Sequence, residues 1–505
     1  MTRNTMTEEN ILIAERIRKL QEIRESGVNP YPYVFDKTHN ALELHRKYGE
    51  VPSEEILESE VGVAGRIMQC RRMGKAGFFH IQDETGRIQV YIRQSDVGAD
   101  QYQLFKRTDI GDIVGIKGTI FKTGTGETSV YAKSLTLLCK SLRPLPEKFH
   151  GIQDKELKYR KRYLDLIMNP ETKDRFVKRA KIIKLVRRFL DDIGFLEVDT
   201  PILQVLYGGT NAKPFTTHMN AYDMQMYLRL APELYLKRLM VGGFEKVYEI
   251  ARNFRNEGVD QTHNPEFSMI EWYEAYVDYF TMMDRAEAMI KMVAKEVNGT
   301  SDLRVFDRTI QIDRPWPRIS MTDSINRHLN IDTTGMSIEE LQGYCREQGI
   351  SAKGQENRGS LMFAVFDKLV CQKLMEPVWI IDYPKEVSPL SKPHRQKREL
   401  VERYELYIGG KEICDGWSEL IDPQAQRERF EKEQIEMRKG NEEAHPMDED
   451  FIEALEYGLP VCGGIGMGID RLTMLITNTW SIRDVIFFPT MKPIRQERPM
   501  DENDE

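Results

Sequence analysis

No apolar stretch in the 505 residues approaches the roughly 20 needed to span a bilayer, so a helical membrane protein is excluded. The opening MTRNTMTEENILIAERIRKL holds only the short apolar run ILIA with acids around it, and it does not read as a secretory signal. Cysteine is sparse. Cys70, Cys139, Cys345, Cys371, Cys414 and Cys462 are scattered without a CxxC pair, which indicates neither a disulfide framework nor a structural zinc site. A reducing cytoplasm is the expected setting. Positive charge is not in excess: 72 Lys and Arg face 80 Asp and Glu, for a net charge of −8. Taken as an average, that argues mildly against a nucleic-acid partner. No Cys–His or Ser–His pair demands a covalent nucleophile.

The chain is instead 40% hydrophobic and 30% charged, a soluble globular composition. Single cores stop growing near about 250–300 residues, so its length implies more than one domain. The negative average hides basic clusters: Arg16, Arg18, Lys19 and Arg24; Arg66, Arg71, Arg72 and Lys75; and Lys155, Lys158, Arg160, Lys161 and Arg162. Each reads equally as a solvated face or as a patch that holds RNA.

Residues 8–26 predict an amphipathic helix, with Ile11, Ala14, Ile17, Leu20 and Ile23 on one side and Gly27 and Pro30 ending it. Residues 61–140 hold five strand-like runs, VGVAGRIMQ, GFFHIQD, RIQVYI, DIVGIKGTIF and TSVYAKSLTLL, divided by turns such as ETGR and KTGTGE. Five short strands in that space suit a small Greek-key barrel of the OB-fold type, which often stacks single-stranded bases on strand aromatics. Phe78, Phe79 and Tyr91 can serve in that way or as barrel core. RPLPEKFHG (143–151) reads as a linker. The residues beyond about 155 alternate helices and strands in one large domain. QAQRERFEKEQIEMRKGNEEAH (424–445) reads as a solvated surface helix, and MDENDE as a disordered tail.

Three separated segments carry the chemistry. DRFVKRAKIIKLVRRFLDDIGFLEVDTPIL is a helix with Phe176, Ala180, Ile183, Val186, Leu190 and Ile193 as its stripe, followed by Gly194, a strand and Pro201. KVYEIARNFRNEGVDQTHNPEFSMIEWY reads as strand, loop, strand. It delivers Arg255 at the end of the first strand and Glu257, His263, Asn264 and Pro265 in the loop. Phe267, Met269, Glu271 and Tyr273 then share one face, because strand side chains alternate. A plain hairpin does not explain a charged Glu271 on that face. GGIGMGIDRLTMLITN brings glycines into a helix with Arg471 in its first turn, which suits phosphate or is merely a turn. Between the second and third segments, RYELYIGGKEICDGWSEL turns at Gly409-Gly410. Glu405 and Glu412 flank that turn and could face each other across the ladder, a pair suited to Mg²⁺ beside a triphosphate. Asp415, Trp417 and Glu419 share a face.

Together these segments resemble the three signature motifs of class II aminoacyl-tRNA synthetases: the helix–strand ending at Pro201, FRNE followed by HNPEF, and GIGMGIDRL. GGTNAKPFTT, APELYLKRL, RNFRNEG and KEVSPLS are similar to the lysine branch of that family, and the barrel to the anticodon domain of its lysine, aspartate and asparagine subgroup. The resemblance implies an α+β fold, with an N-terminal OB-fold β-barrel and a catalytic domain built on an antiparallel sheet flanked by helices. The implied domains are 1–145, a linker at 146–165, and 166–505. It implies L-lysine activation with ATP and transfer to tRNA(Lys), with Mg²⁺ and a homodimer formed through the first motif.

Residue by residue, it implies that Arg255 grips the α-phosphate and the amino-acid carboxylate and that Arg471 lies near the γ-phosphate. Glu257, His263, Asn264, Phe267 and Glu412 would meet ATP. Gly209 and Glu233 would meet the α-amino group. Glu271, Tyr273, Asp415, Trp417 and Glu419 would line the side-chain end, with Glu405 and Glu412 on Mg²⁺ and Phe78, Gln89 and Glu127 on the anticodon. The branch usually reads Asn-x-aromatic-x-Glu where this chain has Asp415-Gly416-Trp417-Ser418-Glu419. Asp415 is therefore a surplus carboxylate, either protonated or leaning toward the Mg²⁺ acids. The competing readings are an aspartate or asparagine enzyme of the same subgroup, a paralogue that lysylates protein, and a non-catalytic RNA-binding module.

Overall fold

The computed structural model describes residues 8–50, 56–146, 152, 154–351, 357–438 and 446–494. Residues 439–445 of the charged stretch and the tail MDENDE lie outside them, as do residues 147–151 of the proline-bearing segment. Contacts divide the chain into two compact units, residues 1–151 and 152–505.

In the first unit, helix α1 (Glu8–Glu25) precedes five strands: β1 (Ile56–Met73), β2 (Ala76–Gln82), β3 (Arg87–Arg93), β4 (Ile113–Lys122) and β5 (Thr128–Cys139). They close a barrel in the order β1-β2-β3-β5-β4. Strand alternation sorts the residues: Phe79, Ile81, Ile88, Val90 and Ile92 fill the interior, while Phe78, His80, Gln89 and Tyr91 face outward. Phe79 is therefore core and is not available to a base. The α1 stripe needs correcting too. Leu20 and Ile23 are buried, but Ile11 and Ile17 are about half exposed. Apolar residues spaced strictly by three drift around a 3.6-residue helix, so only part of such a row meets the barrel. Two residues of the basic N-terminal cluster serve that docking. Arg16 is buried and donates to the Ile110, Ser141 and Arg143 carbonyls, and Lys19 pairs with Asp109 at 2.7 Å.

The second unit opens with helices Lys155–Arg160 and Arg162–Met168. The fully buried Arg162 donates to the carbonyls of Arg483 and Phe487, so residues 155–165 belong to this unit and do not form a linker. Helix α2 (Pro170–Asp192) starts with proline at its first turn. Its buried face runs through Phe176, Arg179, Ile182, Val186 and Leu190; Ala180, expected there, is exposed.

The elements that build the site are β6 (Leu196–Glu197), α3 (Glu233–Val241), β7 (Lys246–Phe254), β8 (Glu266–Ala275) and α4 (Tyr279–Asn298), followed by β9 (Arg318–Ser320), β10 (Val378–Pro384), β11 (Leu400–Ile408), β12 (Lys411–Ser418), β13 (Cys462–Gly468) and α5 (Ile469–Ile476). The eight strands form one sheet ordered β9-β10-β11-β12-β13-β8-β7-β6. Only its two outermost pairings are parallel. Ile270 and Trp272 of β8, Ile465 and Met467 of β13, and Leu406 of β11 point to one side, where they pack with Ile182 and Leu190 of α2 and Met282, Met289 and Ile290 of α4. Burying each such side chain contributes about 1.5–3 kcal/mol. That core fixes the sheet, and the other face carries the polar residues.

Candidate active site

The register sets the polar face in rungs. Glu249, Glu271, Gly466, Asp415 and Glu405 lie side by side across five strands, and Val247, Tyr273, Gly464, Trp417 and Arg403 form the next rung. The alternating glycines are thus a central strand, where the sequence suggested a phosphate-binding turn. Their missing side chains form a trough. A Cβ on Gly464 would lie 2.2 Å from Glu419 Oε1 and 2.4 Å from the Tyr273 ring, and one on Gly466 would lie 2.8 Å from Met269 Cε. Only glycine leaves that room.

A cavity of about 60 Å³ opens over this trough, lined by Gly209, Glu233, Arg255, Glu271, Tyr273, Asp415 and Trp417 among others. All but one of the residues expected to meet the amino acid therefore converge on one space. Glu419, the exception, sits fully buried behind it and takes a 2.9 Å hydrogen bond from Trp417 Nε1 on Oε2, while its buried Oε1 has no partner. Burial and the charges of Glu233 and Asp415 push the Glu271 carboxyl well above its usual range, and its Oε2 accepts from Tyr273 OH at 3.3 Å. Burial, with Glu233 adding to it against the pull of Lys237, raises Glu419 to about 8. These are acids short of cations, the condition that an ammonium ligand relieves.

A larger cavity of about 290 Å³ adjoins the first, with Arg255, Met269, Asp415 and Gly466 lining both. It holds every residue expected to meet ATP: Arg255, Glu257, His263, Asn264, Phe267, Glu412 and Arg471. The Arg255 guanidinium lies 5.1 Å over the Phe267 ring, and its buried Nε has no partner. Asp260 holds His263, accepting from its backbone N–H at 2.8 Å and contacting Nδ1 at 2.9 Å. Asn264 is spent within the protein, since its Nδ2 donates to the Glu266 carbonyl and its Oδ1 accepts from Thr490 N–H. Arg471 reaches the carbonyl and carboxylate of Glu412 at 3.1 and 3.3 Å.

One carboxylate placement differs from expectation, and a second follows one of the two states expected of it. Glu405 does not face Glu412: the turn pairs Ile408 with Lys411 and so sets Glu412 opposite Tyr407, and a bulge that inserts Ile413 into β12 then sets Glu405 opposite Asp415. Asp415 stands one rung from the Tyr273–Trp417 level. Its charged neighbours are Glu412, Arg403, Glu405 and Arg255, so it leans toward the paired acids. Burial and those acids raise it to about 7.

Three functional positions went unread in the sequence. Partly buried Arg403 donates to Glu405 at 2.7 Å and to Ser388 at 2.9 Å. Asp470 pairs with Arg179 at 2.6 Å and accepts from the Ser268 N–H at 2.8 Å, tying α2, β8 and α5 together. Lys237 lies buried between Glu233 and Glu419. Its four-residue spacing from Glu233 on a helix was the available signal.

On the barrel, the Phe78 ring packs against Tyr91 at a tilt of 38°, with centroids 4.7 Å apart. Gln89 donates to Glu127 at 2.7 Å, and His80 contacts the other Glu127 oxygen at 2.9 Å. Phe78, Gln89 and Glu127 thus belong to one outward patch.

Residues 154–492 match the family described as tRNA synthetases class II (D, K and N), and residues 61–138 match the OB-fold nucleic acid binding domain. The chain belongs to the class II tRNA synthetases of the D, K and N group. Among relatives of this synthetase, a protein named lysine–tRNA ligase from Pelotomaculum thermopropionicum is 52% identical over 488 residues, covering 96% of this chain and 95% of its own. Lysine–tRNA ligases from Carboxydothermus hydrogenoformans and Bacillus cytotoxicus are each 50% identical, covering 96% and 94% of this chain and 98% and 96% of their own. No described helix of the synthetase is long and apolar enough to cross a membrane.

Proposed function

We propose that the chain is a lysine–tRNA ligase acting in the cytoplasm. The observation that carries this reading is the cluster of under-neutralised buried acids, Glu233, Glu271 and Glu419, at the closed end of a cavity whose open end is Arg255 and the ATP-sized space. At about 4 Å and an effective dielectric near 20, one ammonium–carboxylate pair is worth roughly 4 kcal/mol before desolvation. A pocket built for a charged head group rejects analogues without one. Aspartate or asparagine would find no matching cation or amide there.

The α-ammonium meets Glu233 beside Gly209, and the side-chain ammonium lies among Glu271, Tyr273, Trp417 and Glu419. Arg255 offers its planar fork to the substrate carboxylate and the ATP α-phosphate together. A carboxylate oxygen attacks the α-phosphorus, the bond to the bridging oxygen of the β-phosphate breaks, and pyrophosphate leaves. The 3′-terminal hydroxyl of tRNA then attacks the lysyl carbonyl, and AMP departs. Adenine stacks on Phe267. Glu257, His263, Asn264, Glu412 and Arg471 border the nucleotide. Positioning and charge stabilisation supply the catalysis.

Mg²⁺ fits beside Glu405 and Glu412. Burial and the charge of Glu412 raise the Glu405 carboxyl, and Glu412 and Glu405 raise Asp415, an excess of charge that a divalent cation offsets. Among the described residues no three His, Cys, Asp or Glu side chains form a ligand cluster, which accords with an ion held partly by ATP phosphates. When bound, it neutralises charge on the phosphates. Phe78, Gln89 and Glu127 read the anticodon of tRNA(Lys). The apolar residues Leu196, Ile202, Leu203 and Val205, all more than 40% exposed just after α2, are the surface we assign to a homodimer partner.

ATP–pyrophosphate exchange run with each of the twenty amino acids tests the reading. Exchange with lysine alone is expected, and exchange with aspartate or asparagine overturns it.

A further inference from the structure

Lys237 is the buried cation that this reaction leaves unused. It is fully buried on α3, and its ammonium lies 2.6 Å from Glu233 Oε1 and 2.5 Å from Glu419 Oε2. The two oxygens it bridges are therefore at most about 5 Å apart. Burial alone would strip its proton, but the two carboxylates outweigh burial and hold it charged. Glu419 Oε2 is saturated by Lys237 and Trp417 Nε1, which leaves the unpartnered Oε1 as its free oxygen, poised where Gly464 lacks a side chain.

Resting on the lysine reading of the pocket, we propose that Lys237 is a positioning residue that gauges substrate length. One ammonium clamps the carboxylate that receives the α-amino group to the carboxylate that receives the side-chain ammonium. The separation between the two subsites is thereby fixed, and neither acid can follow a shorter or longer chain. A side chain one methylene short of lysine stops before Glu419 Oε1. With the acid clamped, that shortfall cannot be closed by a rotamer change. Lys237 also opposes the burial that pushes both carboxyls above their usual range.

The test compares lysine and ornithine in ATP–pyrophosphate exchange by the full-length protein carrying Lys237→Met or Lys237→Gln. The expected result is a lysine KM raised about tenfold or more and a lysine-to-ornithine ratio of kcat/KM lowered about tenfold or more. The ATP KM stays unchanged, and kcat stays within about threefold. A variant that folds and loses lysine activity while keeping the wild-type ratio overturns the proposal, because a merely structural lysine lowers both substrates alike. Trp417→Phe removes the second donor to Glu419 Oε2 while leaving an aromatic ring in the cavity wall, and should shift the ratio the same way by less. If both Lys237 variants fail to fold, an unchanged ratio in Trp417→Phe overturns the clamp. Wild-type protein without lysine-dependent exchange would instead sink the lysine reading itself, a distinguishable outcome.

Discussion

Replacing Asp415 by asparagine separates two states open to a surplus carboxylate in this pocket. Asp415 is crowded by Glu412 and Glu405, and its pKa of about 7 stands against an ordinary 3.8. That difference disfavours the charged form by about 4 kcal/mol. The side chain is 31% exposed, so solvent screening leaves roughly 2–3 kcal/mol of it. The unfolded chain gives up this proton near 3.8, whereas the folded protein keeps it to about 7. Between those values the folded state binds the extra proton, so the stability of the parent protein falls as pH rises, and above about 7 the loss is complete. Asparagine carries no such proton. Unfolding of the two proteins, followed by circular dichroism from pH 4.5 to 8, should therefore show near-equality at the acid end. Toward neutrality the variant should gain an advantage of roughly 2–3 kcal/mol. In exchange assays at pH 7.5 its lysine KM should stay within about tenfold, or roughly 1.4 kcal/mol. A stability gap that is flat with pH refutes the protonated state. So does a far larger rise in lysine KM with ATP binding intact, which would mark Asp415 as an ionised partner of the substrate.

Arg255→Ala should lower lysine-dependent pyrophosphate exchange by about 100-fold or more with the fold intact by circular dichroism, since one fork serves two mutually repelling anions; near-normal exchange would contradict its role. Phe78→Ala and Gln89→Ala should cut aminoacylation about tenfold or more while sparing exchange, because base stacking is worth about 1–3 kcal/mol. If exchange falls equally, these residues support the barrel and do not read RNA. Gly464→Ala places a methyl against Glu419 and Tyr273; isothermal titration should show lysine binding weakened by about 1–3 kcal/mol with ATP binding retained.

Much of the site was legible because period-two alternation is strict: Phe267, Met269, Glu271 and Tyr273 had to share a face once β8 was recognised. The motif arginines were readable from the motifs that hold them, Arg255 in FRNE and Arg471 in GIGMGIDRL. Pairings between distant segments were not. Arg179 with Asp470 and Lys237 with Glu419 depend on which strands become neighbours, and nothing local encodes that. The expected Glu405–Glu412 facing failed on the turn itself, which pairs Ile408 with Lys411 and so sets Glu412 against Tyr407; the bulge at Ile413 then moved Asp415 opposite Glu405. The α1 stripe failed in detail because apolar residues spaced by three wind off the buried side, and in α2 Arg179 took a position that hydrophobicity alone would have given to Ala180.

The placement of β13 in the middle of the sheet has a consequence for synthesis. Residues 462–468 leave the ribosome after every other strand of the sheet, yet they separate β8 from β12. Until they emerge, the growing chain holds two half-sheets, β6–β8 and β9–β12, each with an open edge. Such edges invite mispairing between nascent chains. Arg255 belongs to one half and Glu405 to the other, so neither half can activate an amino acid. A nascent chain halted before residue 462 should be inert and prone to aggregate, and insertion of the last strand both closes the edges and switches on the chemistry.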